Sequence, residues 1–253
     1  MINKRGQIAI FVIVAVMIVV AISFIFLIDR TPTIQRGLEL DNPENYLDEC
    51  IKERAEMVIT NLISHGGFPN SNDTIMYQGN AISYVCKNIN YYQPCVSQYP
   101  RYVYQVQEEL NLQLKEDVEQ CFASLEQELT KRKYIIDAGP ITLSSEIKPK
   151  ITHLNVKRDF TITKGEVIKS YDELDFFINT PIYDLAMIAQ EIISQEARYC
   201  YFSNDGFMIL YPNFDIRKDS LGEDSIIYQI KDKTTNEQLT MAIRGCAIPP
   251  GLF

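Results

Sequence analysis

Cysteine is the residue type in this chain with the widest choice of chemistry, because a thiol can bind a metal, act as a nucleophile or form a disulfide. The six positions are Cys50, Cys86, Cys95, Cys121, Cys200 and Cys246. Zinc sites usually contain close ligand pairs such as Cys-x-x-Cys, whereas no two cysteines here lie that close in sequence. We therefore predict no metal site and three structural disulfides, with free buried thiols as the alternative.

Six cysteines allow fifteen pairings, and the sequence alone does not select one of them. Three pairs have a physical argument. Cys86 and Cys95 enclose a short loop, which favours a local bridge. Cys50 and Cys121 each lie on the apolar stripe of a predicted helix, so a bridge between them would join two packed helices. Cys200 and Cys246 remain for the third bridge, and each bridge would stabilise the fold by about 2–4 kcal/mol.

The two histidines provide little material for acid–base or nucleophilic catalysis. His65 lies beside two glycines at a predicted helix end, as expected of a cap or surface residue. His153 lies in an alternating strand pattern and is expected to face solvent. The sequence contains no Gly-x-Ser-x-Gly, His-Glu-x-x-His or phosphate-binding glycine motif. We therefore predict no catalytic residue and no cofactor.

Two groups of carboxylates are the remaining candidates for hydrolytic chemistry. They are Asp172, Glu173 and Asp175 in one segment and Asp184, Glu191 and Glu196 in a predicted helix. We interpret both groups as solvated acidic surface, because charged residues are usually exposed. The alternative is a surface-tethered hydrolase. It requires Asp172, Asp175, Asp184 or Glu191 to meet in one cleft, and scattered positions would argue against it.

Tyrosines are concentrated in one short segment, which contains seven of the fifteen in the chain. They are Tyr77, Tyr84, Tyr91, Tyr92, Tyr99, Tyr102 and Tyr104. An exposed patch of such rings would suit binding, with Tyr91, Tyr92, Tyr99 and Tyr102 as the candidates. We favour the other interpretation, in which the rings pack around the loop between Cys86 and Cys95 in a chain without tryptophan.

Asn72-Asp73-Thr74 is an acceptor sequence for N-glycosylation, and it lies in a segment with turn composition. Modification of Asn72 requires that this part of the chain be outside the cytoplasm.

Composition excludes several classes of protein. The chain has 253 residues, of which 46% are hydrophobic, so it is too apolar to be intrinsically disordered. The 33 acidic and 24 basic side chains give a formal charge of −9. A nucleic-acid partner is therefore not expected, because such affinity comes mainly from cations that neutralise phosphates.

One uncharged apolar segment near the N-terminus, Ile8–Ile28, determines the predicted location of the chain. As a helix it is about 30 Å long, the thickness of a bilayer core. Lys4 and Arg5 precede it, so the positive-inside rule predicts a cytoplasmic N-terminus and an extracellular remainder. No Ala-x-Ala-like cleavage site follows. We predict a transmembrane helix over residues 7–28 that is retained as a signal anchor.

Lys4-Arg5-Gly6-Gln7-Ile8 resembles the leader junction of archaeal type IV pilins and archaellins. In that family a short basic leader ending in glycine is removed on the cytoplasmic side, and the hydrophobic helix stays on the mature protein. The resemblance implies cleavage between Gly6 and Gln7 and an archaeal cell surface. The chain differs from many pilins in having Phe11 in place of a glutamate and Pro32 just after the apolar segment.

Three helices are predicted beyond the anchor. The first begins at Asn42, a favourable N-cap followed by Pro43, and ends at His65-Gly66-Gly67. The second is predicted from about Tyr102 to Lys131 by apolar residues at three- and four-residue steps. The third follows Thr180, with Pro181 at its first position, and continues to about Arg198.

Strands are predicted in three places. Thr74–Tyr77 and Ala81–Cys86 flank a Gln-Gly-Asn turn and predict a hairpin. Alternating β-branched residues between Tyr134 and Phe177 predict several antiparallel strands. Ile226–Lys231 and Gln238–Arg244 predict a second hairpin near the C-terminus.

The predicted fold class is α+β, with an N-terminal transmembrane helix followed by one disulfide-stabilised extracytoplasmic domain of about three helices and antiparallel strands. The predicted divisions are a cytoplasmic leader at 1–6, the transmembrane helix at 7–28, a tether at 29–42 and the domain at 43–253.

The predicted function is that of a structural or adhesive cell-surface protein. Its partners would be the lipid bilayer and other surface proteins, or further copies of itself. Besides the hydrolase, two alternatives remain. A pilin-like filament subunit predicts one continuous helix through residues 28–45, and a receptor ectodomain predicts an exposed tyrosine patch.

Overall fold

A computed structural model of the chain describes Met17 and residues 42–90, 92–222 and 224–245. The chain divides into two units, Met1–Asp41 and Asn42–Phe253. The predicted leader, the transmembrane helix at 7–28 and the junction at Gly6 and Gln7 lie outside the described residues, apart from Met17. Of the helices that can be described, none is long and apolar enough to cross a membrane.

Four helices are described in the second unit. They are α1 (Pro43–Ser64), α2 (Tyr102–Lys131), α3 (Ile182–Tyr199) and α4 (Asn204–Leu210). Asn42 caps α1, because its side-chain oxygen accepts a hydrogen bond from the Glu44 N–H at 3.3 Å. Asn42 itself has extended backbone angles, so α1 begins there. Because Asn42 is not helical, residues 28–45 do not form the one continuous helix that the pilin-like alternative predicts.

Two glycines end α1 and allow it to approach α2 closely. Gly66 and Gly67 both have positive φ, and the Gly67 N–H donates to the Leu62 carbonyl at 2.7 Å. A Cβ atom on Gly67 would lie 2.7 Å from a methyl group of Val106 in α2. Only glycine therefore fits at this position.

The first sheet has the strand order β1-β2-β10-β9-β8, and β3 also pairs with β2. Its strands are β1 (Thr74–Tyr77), β2 (Asn80–Lys87), β3 (Val96–Ser97), β8 (Phe214–Leu221), β9 (Ser225–Asp232) and β10 (Gln238–Arg244). The two predicted hairpins are present as β1–β2 and β9–β10. β2 and β10 pair in parallel, so the sheet is mixed rather than purely antiparallel.

The second sheet consists of β4 (Ile135–Ala138), β5 (Thr142–Lys148), β6 (Ile151–Lys164) and β7 (Val167–Asn179). Strands β4, β5 and β7 each pair with β6, and all three pairs are antiparallel. The register places His153 opposite Phe177 and Asn155 opposite Asp175. An irregularity between Lys157 and Phe160 interrupts this register.

Helix α3 contacts both sheets and is the central element of the core. It lies against β9 and β10 of the first sheet, β5 of the second sheet and helix α2. Helix α1 contacts α2, β7 and β10. The fold is thus α+β, as predicted, with one described helix more than the three expected.

Candidate binding cleft beside the third helix

Helix α3 has one buried face and one face that lines a cleft. The buried face includes Leu185, Ala189 and Ile192, all with no exposed area. Asp184, Glu191 and Gln195 recur at helical spacing on the cleft side. The same periodicity that buries one stripe of α3 therefore presents a polar and acidic stripe to the cleft.

The opposite wall of the cleft is apolar and comes from α4. Ser203 caps this helix, because its hydroxyl oxygen accepts the Gly206 N–H at 3.3 Å. Phe207 and Tyr211 stack with ring centroids 4.5 Å apart, and both line the cleft together with Leu210. No residue of α4 is buried, and Leu210 is 75% exposed. The cleft between α3 and α4 has a volume of about 640 Å³.

A second depression of about 450 Å³ adjoins the cleft, since both are lined by Asp184 and Phe214. Its other lining residues are mostly polar and include Lys150, Asn179, Asn213, Asp232 and Thr235. The second depression thus extends the cleft beyond the N-terminal end of α3 with mostly polar groups.

Asp184 stands at the junction of the two depressions. Burial raises the pKa of its carboxyl group, and the negative charge of Asp232 raises this pKa further. A hydrogen bond from the backbone N–H of Lys150 acts in the opposite direction and lowers it. Glu191 accepts a hydrogen bond from the side chain of Gln195 at 2.7 Å. Within the described part of the chain, Asp184, Glu191 and Asp232 are in no salt bridge.

The structure brings only part of the predicted carboxylate set together. Asp184 and Glu191 line the same cleft, whereas Asp172 and Asp175 lie on β7 and do not line it. The four carboxylates that the hydrolase alternative names therefore do not meet in one place. The cleft has the composition of a binding surface, with an acidic wall and an apolar wall.

Glu196 is not a solvated surface residue, which corrects the sequence interpretation. Its side chain is 4% exposed, and Lys218 Nζ lies 3.2 Å from its Oε1 atom. The buried hydroxyl of Tyr228 donates a hydrogen bond to the same oxygen. Burial raises the pKa of Tyr228, and the charge of Glu196 raises it further. Glu196 thus connects α3 to strands β8 and β9 inside the fold.

Both histidines make contacts within the fold. His65 is the C-cap of α1, and its Nδ1 atom lies 2.8 Å from the Asn61 carbonyl oxygen. His153 lies on the second sheet, where its Nε2 atom is 2.6 Å from Asp175 Oδ1 and its ring stacks on Phe177. Two hydrogen bonds lower the pKa of Asp175, and the one from Asn155 has a larger effect than the one from His153. This network joins β6 to β7 across one sheet face.

The predicted tyrosine surface is only partly present. Tyr102 is fully buried and its hydroxyl donates to the Gly66 carbonyl at 3.0 Å, so it is a core residue and not a binding residue. Tyr99 stacks on Phe68 with ring centroids 3.5 Å apart. Tyr92 is 63% exposed, and Tyr91 lies outside the described residues. The segment therefore contributes mainly to packing.

Two of the three favoured disulfides are present in the structure. Cys50 in α1 is bonded to Cys121 in α2, with their Cα atoms 6.0 Å apart. Cys86 in β2 is bonded to Cys95, with a Cα separation of 5.3 Å. None of the described cysteines is a free thiol. The Cys200–Cys246 pair stays a prediction, because Cys246 lies outside the described residues.

The acceptor sequence at Asn72 lies in an accessible place. Asn72 is exposed in a bend between α1 and β1, while the next residue, Asp73, is held by Lys87 at 2.7 Å. We expect a glycan on Asn72 when the chain is produced in a host that N-glycosylates exported proteins. Intact mass spectrometry should detect it. Thr74→Ala should abolish the modification and Thr74→Ser should retain it, whereas an unmodified wild-type chain would contradict the expectation.

Searches against protein-family models, characterised proteins and solved structures find no match to this chain. No group of three or more histidine, cysteine, aspartate or glutamate residues in the described ranges is arranged to hold a metal ion. The sequence analysis did not predict helix α4, which forms the apolar wall of the cleft. The feature that could have indicated it is the run of apolar residues at 207–211 after Ser203, the N-cap.

Proposed function

We propose that this chain is a single-pass, membrane-anchored cell-surface protein whose second unit is an extracytoplasmic domain that binds other proteins. The observation that carries the proposal is the pair of disulfides within that unit. Disulfides form and persist in oxidising compartments and are rare in the cytosol. Cys86, Cys95 and Cys121 are all buried, so these bonds are part of the folded core.

The anchor in this proposal is the uncharged segment Ile8–Ile28. Lys4 and Arg5 before it favour a cytoplasmic N-terminus, which leaves the disulfide-bonded unit on the other side of the membrane. The resemblance of the preceding residues to a pilin-type leader junction supports removal of the leader between Gly6 and Gln7. The orientation predicted from the basic residues and the presence of disulfides both favour an extracytoplasmic second unit. The two arguments rest on separate parts of the sequence.

The binding role is supported by apolar surface that the domain leaves uncovered. Ile209 and Leu210 of α4 are 80% and 75% exposed, and Tyr211 beside them is 52% exposed. Exposed apolar patches with a polar rim are typical of sites that contact another molecule. Here Leu210 and Tyr211 of the patch line one wall of a cleft that has carboxylates on its other wall.

The N-terminal residue of the protein purified from its own membranes tests the anchor and the leader together. We expect the chain to begin at Gln7, because the basic leader and Gly6 match the junction that a pilin-type peptidase cuts. Gly6→Val should block the cut and leave Met1 in place. Asn3→Val, which introduces the same side chain elsewhere in the leader, should still yield Gln7.

Labelling of intact cells with a membrane-impermeant, amine-reactive reagent tests the orientation. We expect Lys233, an exposed residue of the β9–β10 turn, to be modified on intact cells. In the uncleaved Gly6→Val chain, Lys4 should be modified only after the cells are permeabilised. Labelling of Lys4 without permeabilisation, or protection of Lys233, would contradict the proposed orientation.

A further inference from the structure

The cleft between α3 and α4 has a charge pattern that selects one kind of partner. Asp184 and Glu191 are seven positions apart on α3, which places them about 10 Å apart along the helix axis. Neither forms a salt bridge within the described residues, and the lining of this cleft contains no described lysine or arginine. A cation, Lys150, lies in the adjoining depression, and its charge acts on Asp184. Residues 42–253 as a whole contain 30 acidic and 20 basic side chains. A cationic group is therefore attracted to the cleft both locally and at long range.

The apolar wall of the cleft defines the rest of the partner. Phe207, Leu210 and Tyr211 face the acidic stripe of α3 across the cleft, so one side of a bound segment would meet carboxylates and the other side aromatic and aliphatic groups. A helix that carries apolar residues along one stripe and cations beside it has this arrangement of surfaces. The walls are themselves two helices, so a bound helix would pack against a helical surface on each side.

We propose that the cleft between α3 and α4 binds a cationic amphipathic helix of a partner protein. Leucine or phenylalanine side chains of that helix contact Phe207, Leu210 and Tyr211, and its lysine or arginine side chains pair with Asp184 and Glu191. This inference deepens the proposed function and depends on it for the compartment in which the partner is met. An anionic helix is excluded from the same site by repulsion from both carboxylates.

Binding is tested with the full chain in nanodiscs of neutral phosphatidylcholine, so that the lipid does not attract a cationic peptide. The probe is a fluorescent peptide of about 15 residues with leucine at helical spacing and lysine on the flanking positions. We expect its fluorescence anisotropy to rise on addition of the protein. A second peptide with glutamate in place of each lysine should not bind. Equal binding of the two peptides would overturn the proposal.

Matched substitutions distinguish the cleft from general attraction by an acidic protein. Glu191→Lys should weaken binding by about tenfold, whereas Glu119→Lys, the same charge change on the exposed face of α2, should change it by less than about twofold. Leu210→Asp should likewise weaken binding, and Leu112→Asp should not, although Leu112 is 70% exposed. All four positions are exposed, so the fold should tolerate each change.

Equal losses in the cleft and α2 variants would show that the peptide responds only to total charge, and this would overturn the proposal. Binding is measured on the purified chain and is independent of its orientation in the cell. A failed orientation experiment with intact peptide binding would therefore reject the proposed location alone. Correct orientation without peptide binding would reject the proposed role of the cleft and leave the surface-protein proposal unchanged.

Discussion

Replacing both Cys50 and Cys121 by alanine is expected to lower the free energy of unfolding by about 4 kcal/mol, and replacing both Cys86 and Cys95 by about 2.5 kcal/mol. The bonds restrict the unfolded chain to different extents, because their sequence separations are 71 and 9. Closing a longer loop removes more conformational entropy from the unfolded state. Denaturant titration of the purified chain without reductant measures both values.

The two double variants serve as controls for each other. Cys86, Cys95 and Cys121 are buried and Cys50 is half-buried, so local repacking contributes to both variants, and the loop length is the main difference between them. Equal losses would contradict the entropic explanation and indicate that local packing around the sulfur atoms sets the cost. Reduction of the wild-type chain should be at least as destabilising as the Cys50 and Cys121 replacement.

Glu196→Ala is expected to destabilise the domain by about 3–5 kcal/mol, the second large effect. The substitution removes the acceptor of the buried Tyr228 hydroxyl and the partner of Lys218, whose side chain is only 25% exposed. A buried donor without an acceptor and a partly buried cation without an anion both carry a desolvation cost. Thermal or denaturant unfolding of the purified chain measures the loss.

Two further variants show whether the charge or the hydrogen bond of Glu196 is responsible. Glu196→Gln retains an acceptor for Tyr228 but not the charge for Lys218, so we expect a smaller loss than with alanine. Glu191→Ala, on the exposed side of the same helix, should change stability by less than about 0.5 kcal/mol. A loss at Glu196→Ala no greater than at Glu191→Ala would mean that the buried cluster is not stabilising.

The helices and hairpins of the second unit were predictable because local signals specify them. Asn42 and Pro43 start α1, glycines end it, and apolar residues at helical spacing run from Tyr102 to Lys131. Helix α4 was not predicted, since it has seven residues and contains Gly206, a weak helix former. The parallel pairing of β2 with β10 joins residues far apart in sequence, and no local pattern specifies it.

The same distinction explains how much of the cleft could be predicted. The acidic stripe of α3 follows from its periodicity, because the face opposite Leu185 and Ile192 must point away from the core. The burial of Glu196 on that helix depends on Lys218 and Tyr228, which belong to strands β8 and β9. Sequence spacing alone predicted Glu196 at the surface, because it contains no information about the later strands that cover this side chain.

The bond between Cys50 and Cys121 also determines how the second unit would respond to a pulling force. A force transmitted through the chain before Asn42 enters α1 at its capped end and reaches Cys50 after eight residues. From there the covalent bond passes the load directly to α2, and residues 51–120 between the two cysteines carry no tension. Extension between Asn42 and the cross-link is limited to about 30 Å of chain. The bond thus acts as a mechanical stop close to the point where the domain is held.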